Sequence, residues 1–478
     1  MAIDRGQFSS RLGFVLAAAG SAVGLGNLVA FPVMASKNGG AVFLLVYLLF
    51  VALICFPVLL AEIAIGRHTR RNPVGAFTAL SGGSQGWQLA GMLAILTPFM
   101  IAVFYTVVTI WILIFLFRTV TGGLDMLATA SAFPEMTGSP GIFPWFILLQ
   151  VVVFGVLLGG VKGGIERLAR VLMPTLAVML IGLIAFVLTL DDAGLGVSYY
   201  LIPDFSRFNG GVINAALNQA FFSLSLGMGI MITYGSYFNK NDHIVGSGKM
   251  VAIADTSVAF MAGLLILPAI FAFNPETNPD DLSTSSVGLI FTYLPQIFLS
   301  MQDGVGYFGA SLAAAVFFAL VFFAALTSLV SILEIPISYM IDEWNFSRKK
   351  AVLVQAVAVT VCALLASLSF GMSPGLTSFI DYGGGTKSLF DLIADTFSEV
   401  ILPLVGLFAC MLCATRWKEG FVDELTDGDA TFKGSVLQRY LSFSLRTFVP
   451  VVLLFVFINS VAAKYFAVDL VSLITGAL

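Results

Sequence analysis

Charge is scarce in this sequence: of 478 residues only 10% are Asp, Glu, Lys or Arg, and there are two histidines and four cysteines. A soluble domain carries about 25% charged residues, so this chain cannot cover itself with solvated groups. The formal net charge of −4 is spread along loops. No basic face is available to neutralise phosphates, which excludes a nucleic-acid partner. Cys55, Cys362, Cys410 and Cys413 all fall within apolar stretches. Cys410-x-x-Cys413 lacks the two further ligands a metal site needs, because His68 and His243 fall in loops, so these thiols read as packing residues. No nucleophile–base pair or metal cluster is visible in the apolar runs, and an embedded enzyme is the weakest reading. The opening MAIDRGQFSSR is not expected to be a cleavable signal, because the first apolar run is too long and more follow.

What the chain has in abundance is apolar side chains, 59% of all residues. Lipid must therefore be the solvent for most of it. A bilayer core of about 30 Å takes about 20 apolar residues per helix, so the chain holds roughly ten to twelve spans and no large soluble domain. The expected fold is an all-α integral membrane protein, a single polytopic domain over 1–478. Breaking the apolar runs at Gly, Pro and charge clusters predicts eleven transmembrane helices near 11–36, 41–68, 87–118, 143–161, 168–190, 212–239, 247–274, 306–342, 349–370, 388–415 and 439–466. An odd count puts the termini on opposite sides. With the N-terminus cytoplasmic, inner loops carry 18 Lys and Arg and outer loops carry 5, so the C-terminus is expected outside. The stretch 275–305 is too polar to span. Its runs SVGLIFTYLPQIF and QDGVGYF predict an outer hairpin of short helices.

Two spans carry helix breakers at mid-depth. Span one, RLGFVLAAAGSAVGLGNLVAFPV, contains Gly20, Gly24 and Gly26 followed by Pro32; span six, NQAFFSLSLGMGIMITY, contains Ser223, Ser225, Gly227 and Gly229. Glycines alone also serve close helix packing. Paired breaks five spans apart are what two inverted repeats place around a central site, a first near 11–190 and a second near 212–415, with 439–466 as an extra helix. Irregular backbone at that depth is tolerated where it lines a cavity.

With these runs on the page, SSRLGFVLAAAGSAVGLGN followed by FPV and NGG resembles the first-helix signature of the neurotransmitter:sodium symporter family. Further matches are Glu62 with the GR pair after span two, Tyr105, QAFFSLSLGMG, FFAALTS, DEWNFSRKKAVL, and LFDL with LP. The resemblance covers nearly the whole chain, and is to the bacterial sodium-dependent amino-acid transporters in particular. It implies the LeuT-type fold, a 5+5 inverted repeat with broken helices 1 and 6, and transport coupled to sodium.

The resemblance also implies site residues. One sodium would lie among the carbonyls of Gly20, Val23 and Ala324 and the hydroxyls of Thr327 and Ser328; oxygen-only ligation suits a hard cation. Another would use the Ala22 carbonyl, Asn27, Ser223, Asp255 and the substrate's carboxylate, which couples the two ligands. The substrate pocket carries over as Ala22, Leu25, Gly26, Ile101, Tyr105, Phe222, Ser223, Ser225, Met228, Ser328 and Ile332. Tyr105 and span-one amides would receive the carboxylate, and span-six carbonyls with Ser328 the ammonium. An inner gate would comprise Arg5, Ser236, Tyr237 and Asp342.

The sequence departs from the family pattern at the outer gate. Ala30 replaces the arginine before FP, Ala394 falls where span ten has its aspartate, and Phe8 replaces a tryptophan. Loss of both partners together avoids an unpaired charge in a narrow passage, and leaves outer occlusion to Tyr105, Phe222 and the outer hairpin. Gly24 stands where monoamine transporters carry an aspartate, so the substrate is expected to bring its own carboxylate. Ala259 stands at the position that is serine in chloride-requiring members, while Asp255 supplies a negative charge one turn earlier. The expected function is sodium-coupled, chloride-independent import of a zwitterionic, hydrophobic or aromatic amino acid across the cell's inner (plasma) membrane. A taurine- or osmolyte-like zwitterion and a non-translocating sensor are the alternatives.

Overall fold

The computed structural model describes residues 6–240, 242–273, 289–427 and 432–475. Among the described residues nine helices are long and apolar enough to cross a membrane: Ala41–Thr69, Gln85–Val120, Pro140–Leu158, Val161–Val187, Ile244–Ala272, Gln302–Trp344, Arg348–Ser367, Leu389–Trp417 and Phe448–Phe466. Arg11–Ala22 and Gly26–Lys37 form a further span bent by 50°. Gly210–Ser223 and Ile230–Ser236, joined by unwound backbone, each fall short of a membrane thickness but together occupy the place of span six. With these two broken pairs, spans one to eleven below follow the chain order. Hydrocarbon offers backbone groups no hydrogen bonds, which is why helices account for nearly all of the membrane-crossing chain.

The outward faces of several spans are apolar. Ile147 and Val151 of span four, Val178 and Ile181 of span five, and Leu353 and Val357 of span nine are all exposed. Spans three and eight instead pack along each other at the centre, burying Ile101, Val107, Trp111, Leu320, Ala324 and Ile332. Polar caps mark several ends. The hydroxyl of Ser10 accepts from the Gly13 amide, Asn209 from Val212, and Ser388 exchanges bonds with Asp391 in a capping box.

Two boundaries differ from the expectation. Residues 439–466 are not one helix: Val436–Arg446 ends before Thr447, and only Phe448–Phe466 is apolar enough to span. Arg439 and Arg446 belong to an amphipathic helix that meets span two, where Tyr440 donates to the Leu53 carbonyl at 2.6 Å. The run QDGVGYF is divided at Gly306, with one short turn from Gln302 before it and span eight after it. Gly306, with φ of +73° and ψ of +162°, ends regular helix between the two. The other run is helical over Leu289–Tyr293 and Leu294–Ser300, while 274–288 lie outside the described residues. A short hairpin, Ile380–Tyr382 paired with Gly385–Lys387, precedes span ten.

Candidate functional site between the broken spans

Span one breaks because the amides that would close its next turn are used elsewhere. The Gly24 N–H donates to Asn27 Oδ1 at 3.2 Å and the Leu25 N–H to Tyr105 Oη at 3.2 Å. The carbonyls four residues earlier, those of Gly20 and Ser21, are thereby released. They converge on span eight, where Ser328 Oγ lies 3.5 Å from the Gly20 oxygen, 3.0 Å from Ser21 and 3.3 Å from Val23. One hydroxyl proton serves one of three acceptors. Thr327 Oγ1 lies 3.0 Å from the Ala324 carbonyl one turn away, and the buried Ser21 Oγ has no hydrogen-bond partner among the described residues. Of the five oxygens assigned to one sodium, the structure brings the Gly20 and Val23 carbonyls to Ser328 Oγ and pairs Thr327 Oγ1 with the Ala324 carbonyl on the same helix. The donor set is uncharged and oxygen-only, which fits a monovalent hard cation as cargo; among the described residues no three His, Cys, Asp or Glu side chains gather to hold another metal.

Span six is unwound by three left-handed residues, Ser225, Gly227 and Gly229, at φ of +53°, +76° and +68°. Gly227 is required there twice over. Its φ disfavours a side chain, and a Cβ would lie 2.2 Å from the Leu402 carbonyl of span ten. Its amide donates to Glu62 Oε1 of span two at 2.7 Å, so a carboxylate takes the place of the lost helical acceptor. The two breaks face one another. Ser225 Oγ reaches the Ser21 carbonyl at 3.2 Å, and Gln219 Nε2 reaches that of Gly26 at 2.7 Å.

Asp255 of span seven is fully buried beside them. Asn27 Nδ2 donates to its Oδ1 at 2.7 Å, and Ser223 Oγ to its Oδ2 at 2.9 Å, with Tyr47 Oη 3.3 Å from the Ser223 hydroxyl. Asn27, Ser223 and Asp255 are thus brought together as expected. The amide nitrogen of Asn27 faces the carboxylate, and its oxygen faces Gly24.

The remaining residues expected to line the pocket are mostly buried. Ala22, Ile101, Tyr105, Ser225, Met228, Ser328 and Ile332 are buried, and Leu25 and Phe222 partly so. A Cβ on Gly24 would sit 2.6 Å from Ser328 Oγ and 2.8 Å from Tyr105 Oη; one on Gly26 would sit 3.1 Å from the Phe222 ring. Both glycines therefore keep room beside the released backbone. Phe222 forms part of the lining of a cavity of about 430 Å³, together with Ala30, Phe104, Ala394 and Glu399. The two alanines that replace the gate pair do face one passage.

At the opposite end, Arg5 lies outside the described residues. Asp342 accepts from the Asn72 backbone and side-chain nitrogens at 2.9 and 3.0 Å, and Ser236 and Tyr237 close span six. Tyr237 Oη donates to Glu334 Oε1 at 2.9 Å, and Arg348 grips the same carboxylate with both terminal nitrogens at 3.0 and 2.7 Å. Phe8 fills the tryptophan's place, edge-on to Phe14, Tyr234 and Tyr237. The sequence reading missed Glu334 and Arg348. Its signal was available, since an acid buried within a span needs a partner. The roles of Tyr47 and Gln219 had no comparable signal.

The family model for the sodium:neurotransmitter symporter family matches residues 5–136 and 131–470 of this chain. The chain belongs to that family. An uncharacterised sodium-dependent transporter of Bacillus subtilis is 32% identical over 96% of this chain and 98% of its own length. The sodium- and chloride-dependent taurine transporter of Homo sapiens is 25% identical over 97% of this chain and 79% of its own. Among solved structures, MhsT in complex with L-phenylalanine matches with a TM-score of 0.82 at 39% identity, covering 95% of this chain and 99% of that one. Family membership makes this symporter a sodium-dependent, multi-pass membrane transporter, not an enzyme, and the likeness to MhsT carries the LeuT fold with its two broken helices.

Proposed function

We propose that this symporter imports a zwitterionic amino acid with a hydrophobic or aromatic side chain, together with two sodium ions and without chloride. The observation that carries the reading is the buried Asn27–Asp255–Ser223 cluster set against the Leu25–Tyr105 contact. A cation lodged between Asp255, Ser223, the Ala22 carbonyl and a reversed Asn27 amide completes its shell with the substrate's carboxylate. Tyr105 and the span-one amides hold that carboxylate, while Ser328 and the unwound carbonyls of span six receive the ammonium. Each ligand then raises the other's affinity by the same factor. The second sodium takes the Gly20, Val23 and Ala324 carbonyls with Thr327 and Ser328. Asp255 offsets one of the two cation charges, the single negative charge that chloride would otherwise bring, which removes the need for chloride.

Side-chain selectivity rests on Ile101, Phe222, Met228 and Ile332, an apolar set in which a flexible methionine adapts to a ring; the phenylalanine complex of MhsT supports this class. Alternating access proceeds between the cavity beside Ala30 and Ala394, facing out, and the Arg5, Ser236, Tyr237 and Asp342 end, facing in. The charge asymmetry of the loops supports a cytoplasmic N-terminus in the cell's inner membrane. The two repeats, 11–190 and 212–415, each contribute one broken span to the site.

Thermal-shift measurements of purified protein against the twenty amino acids, in sodium and in potassium, test the reading. Leucine, methionine, phenylalanine or tryptophan should stabilise only in sodium. Stabilisation by taurine and by none of these would overturn the substrate class.

A further inference from the structure

The family's outer gate pair is replaced by Ala30 and Ala394, yet the wall they line carries charge one residue further on. Asp395 and Glu399 lie four residues apart on the wide helical turn Asp395–Ile401 and face the same side. Lys464, near the end of span eleven, bridges them, with Nζ 3.0 Å from Asp395 Oδ1 and 2.6 Å from Glu399 Oε1. The same three elements are tied together around it. Tyr382 of the hairpin donates to Asp395 Oδ2 at 3.0 Å, Thr396 meets Tyr465 at 2.7 Å, and the Gly383 amide donates to the Tyr465 carbonyl at 3.1 Å. Glu399 also lines the passage with Ser398 and Leu402, and half its side chain remains exposed. Lys387 of the hairpin has its ammonium 5.9 Å from the Tyr382 ring centre.

We infer that Lys464 is the positioning cation of the outer gate: it pairs with both acids of span ten, so that neither carboxylate is left without a partner when the passage closes and dries over bound substrate. The inference rests on the transport reading above. Closure removes water from Glu399, and a carboxylate that loses water without a partner is costly, whereas a paired one is less so. While the passage is open, water solvates the acids and Lys464 matters less. Lys464 therefore favours the closed form, and removing it should hold the passage open. The loss of the two gate residues is not a loss of outer-gate electrostatics. The cation has moved from span one to span eleven, outside the substrate's path.

The test labels Ala394→Cys with a membrane-impermeant thiol reagent, alongside the parent protein as background for the four native cysteines. Sodium with leucine should slow labelling of Ala394→Cys severalfold. Adding Lys464→Met should abolish that protection, and Lys464→Arg should keep it. The decisive variant is Lys464→Met with Asp395→Asn and Glu399→Gln, which leaves no charge to bury and should recover protection; a merely structural role would not respond this way. Should Lys464→Met not fold, the swap Lys464→Glu with Glu399→Lys carries the same test and should stay protected. Full protection in Lys464→Met, or none in the triple variant, overturns the inference. Radiolabelled leucine binding in the same samples separates the two claims: binding without closure in Ala394→Cys contradicts the gate, and no sodium-dependent binding of any amino acid contradicts the transport reading itself.

Discussion

Asn27 and Asp255 meet at 2.7 Å between the first broken span and span seven, amide nitrogen to carboxylate, with both residues fully buried. A buried carboxylate with only neutral hydrogen-bond partners is an expensive arrangement unless a cation joins it in the working cycle. That makes Asp255 the charge on which ion coupling turns. Uptake measured in gluconate and in chloride at fixed sodium should be equal. Asp255→Asn should lose uptake at least tenfold, and adding Ala259→Ser should return part of it in chloride only. A strong chloride requirement of the unmodified protein would show that the compensating charge lies elsewhere.

The oxygens around Ser328 lead to a second expectation. Ser328 Oγ has three carbonyls within 3.5 Å, and Thr327 Oγ1, on the next residue, lies 3.0 Å from the Ala324 carbonyl. Thr327→Ala with Ser328→Ala should abolish sodium-dependent uptake while the protein remains monodisperse in detergent. Uptake that keeps its sodium dependence in the double variant would remove these residues from the ion site.

Gly24 sits where an added Cβ would lie 2.6 Å from Ser328 Oγ and 2.8 Å from Tyr105 Oη. Gly24→Ala should therefore lower amino-acid affinity at least tenfold with little change in fold, read by radioligand binding and circular dichroism. In the unmodified protein, tryptophan should compete for uptake and tryptamine should not, because the site lacks a fixed acid at position 24 to replace the carboxylate. Equal competition by the two would refute the carboxylate's role.

Glu334 is fully buried and held by Arg348 and Tyr237. Arg348→Met leaves that acid without its cation and should destabilise the fold by about 3–5 kcal/mol, seen as a lowered melting temperature in detergent. Arg348→Met with Glu334→Met should recover most of the loss. If the single variant melts as the parent does, water already reaches Glu334 and the pair is not a structural lock.

Much of this was legible in the chain. The glycines of spans one and six located both breaks, because hydrocarbon permits irregular backbone only around a site. Thr327, Ser328, Asn27, Ser223 and Asp255 were found by resemblance; the structure joins Asn27, Ser223 and Asp255 by hydrogen bonds and sets Ser328 against the released span-one carbonyls. What could not be read was contact between distant elements. Nothing local in the sequence ties Gln219 to the Gly26 carbonyl or Lys464 to Asp395, since neither pair shares a helix face. The split of 439–466 was also hidden: LSFSLRTFVP keeps enough apolar residues to read as one run, yet Arg446 ends one helix and Phe448 begins the next.

The central claim is that sodium drives the uphill import of a hydrophobic amino acid through the site between the broken spans. Uptake of radiolabelled leucine and phenylalanine into proteoliposomes, with sodium outside and potassium inside, tests it most directly. Accumulation above the outside concentration, collapsing when sodium is equal on both sides and absent in Thr327→Ala with Ser328→Ala, is the predicted result. Equilibration to equal concentrations that ignores the sodium gradient would contradict it.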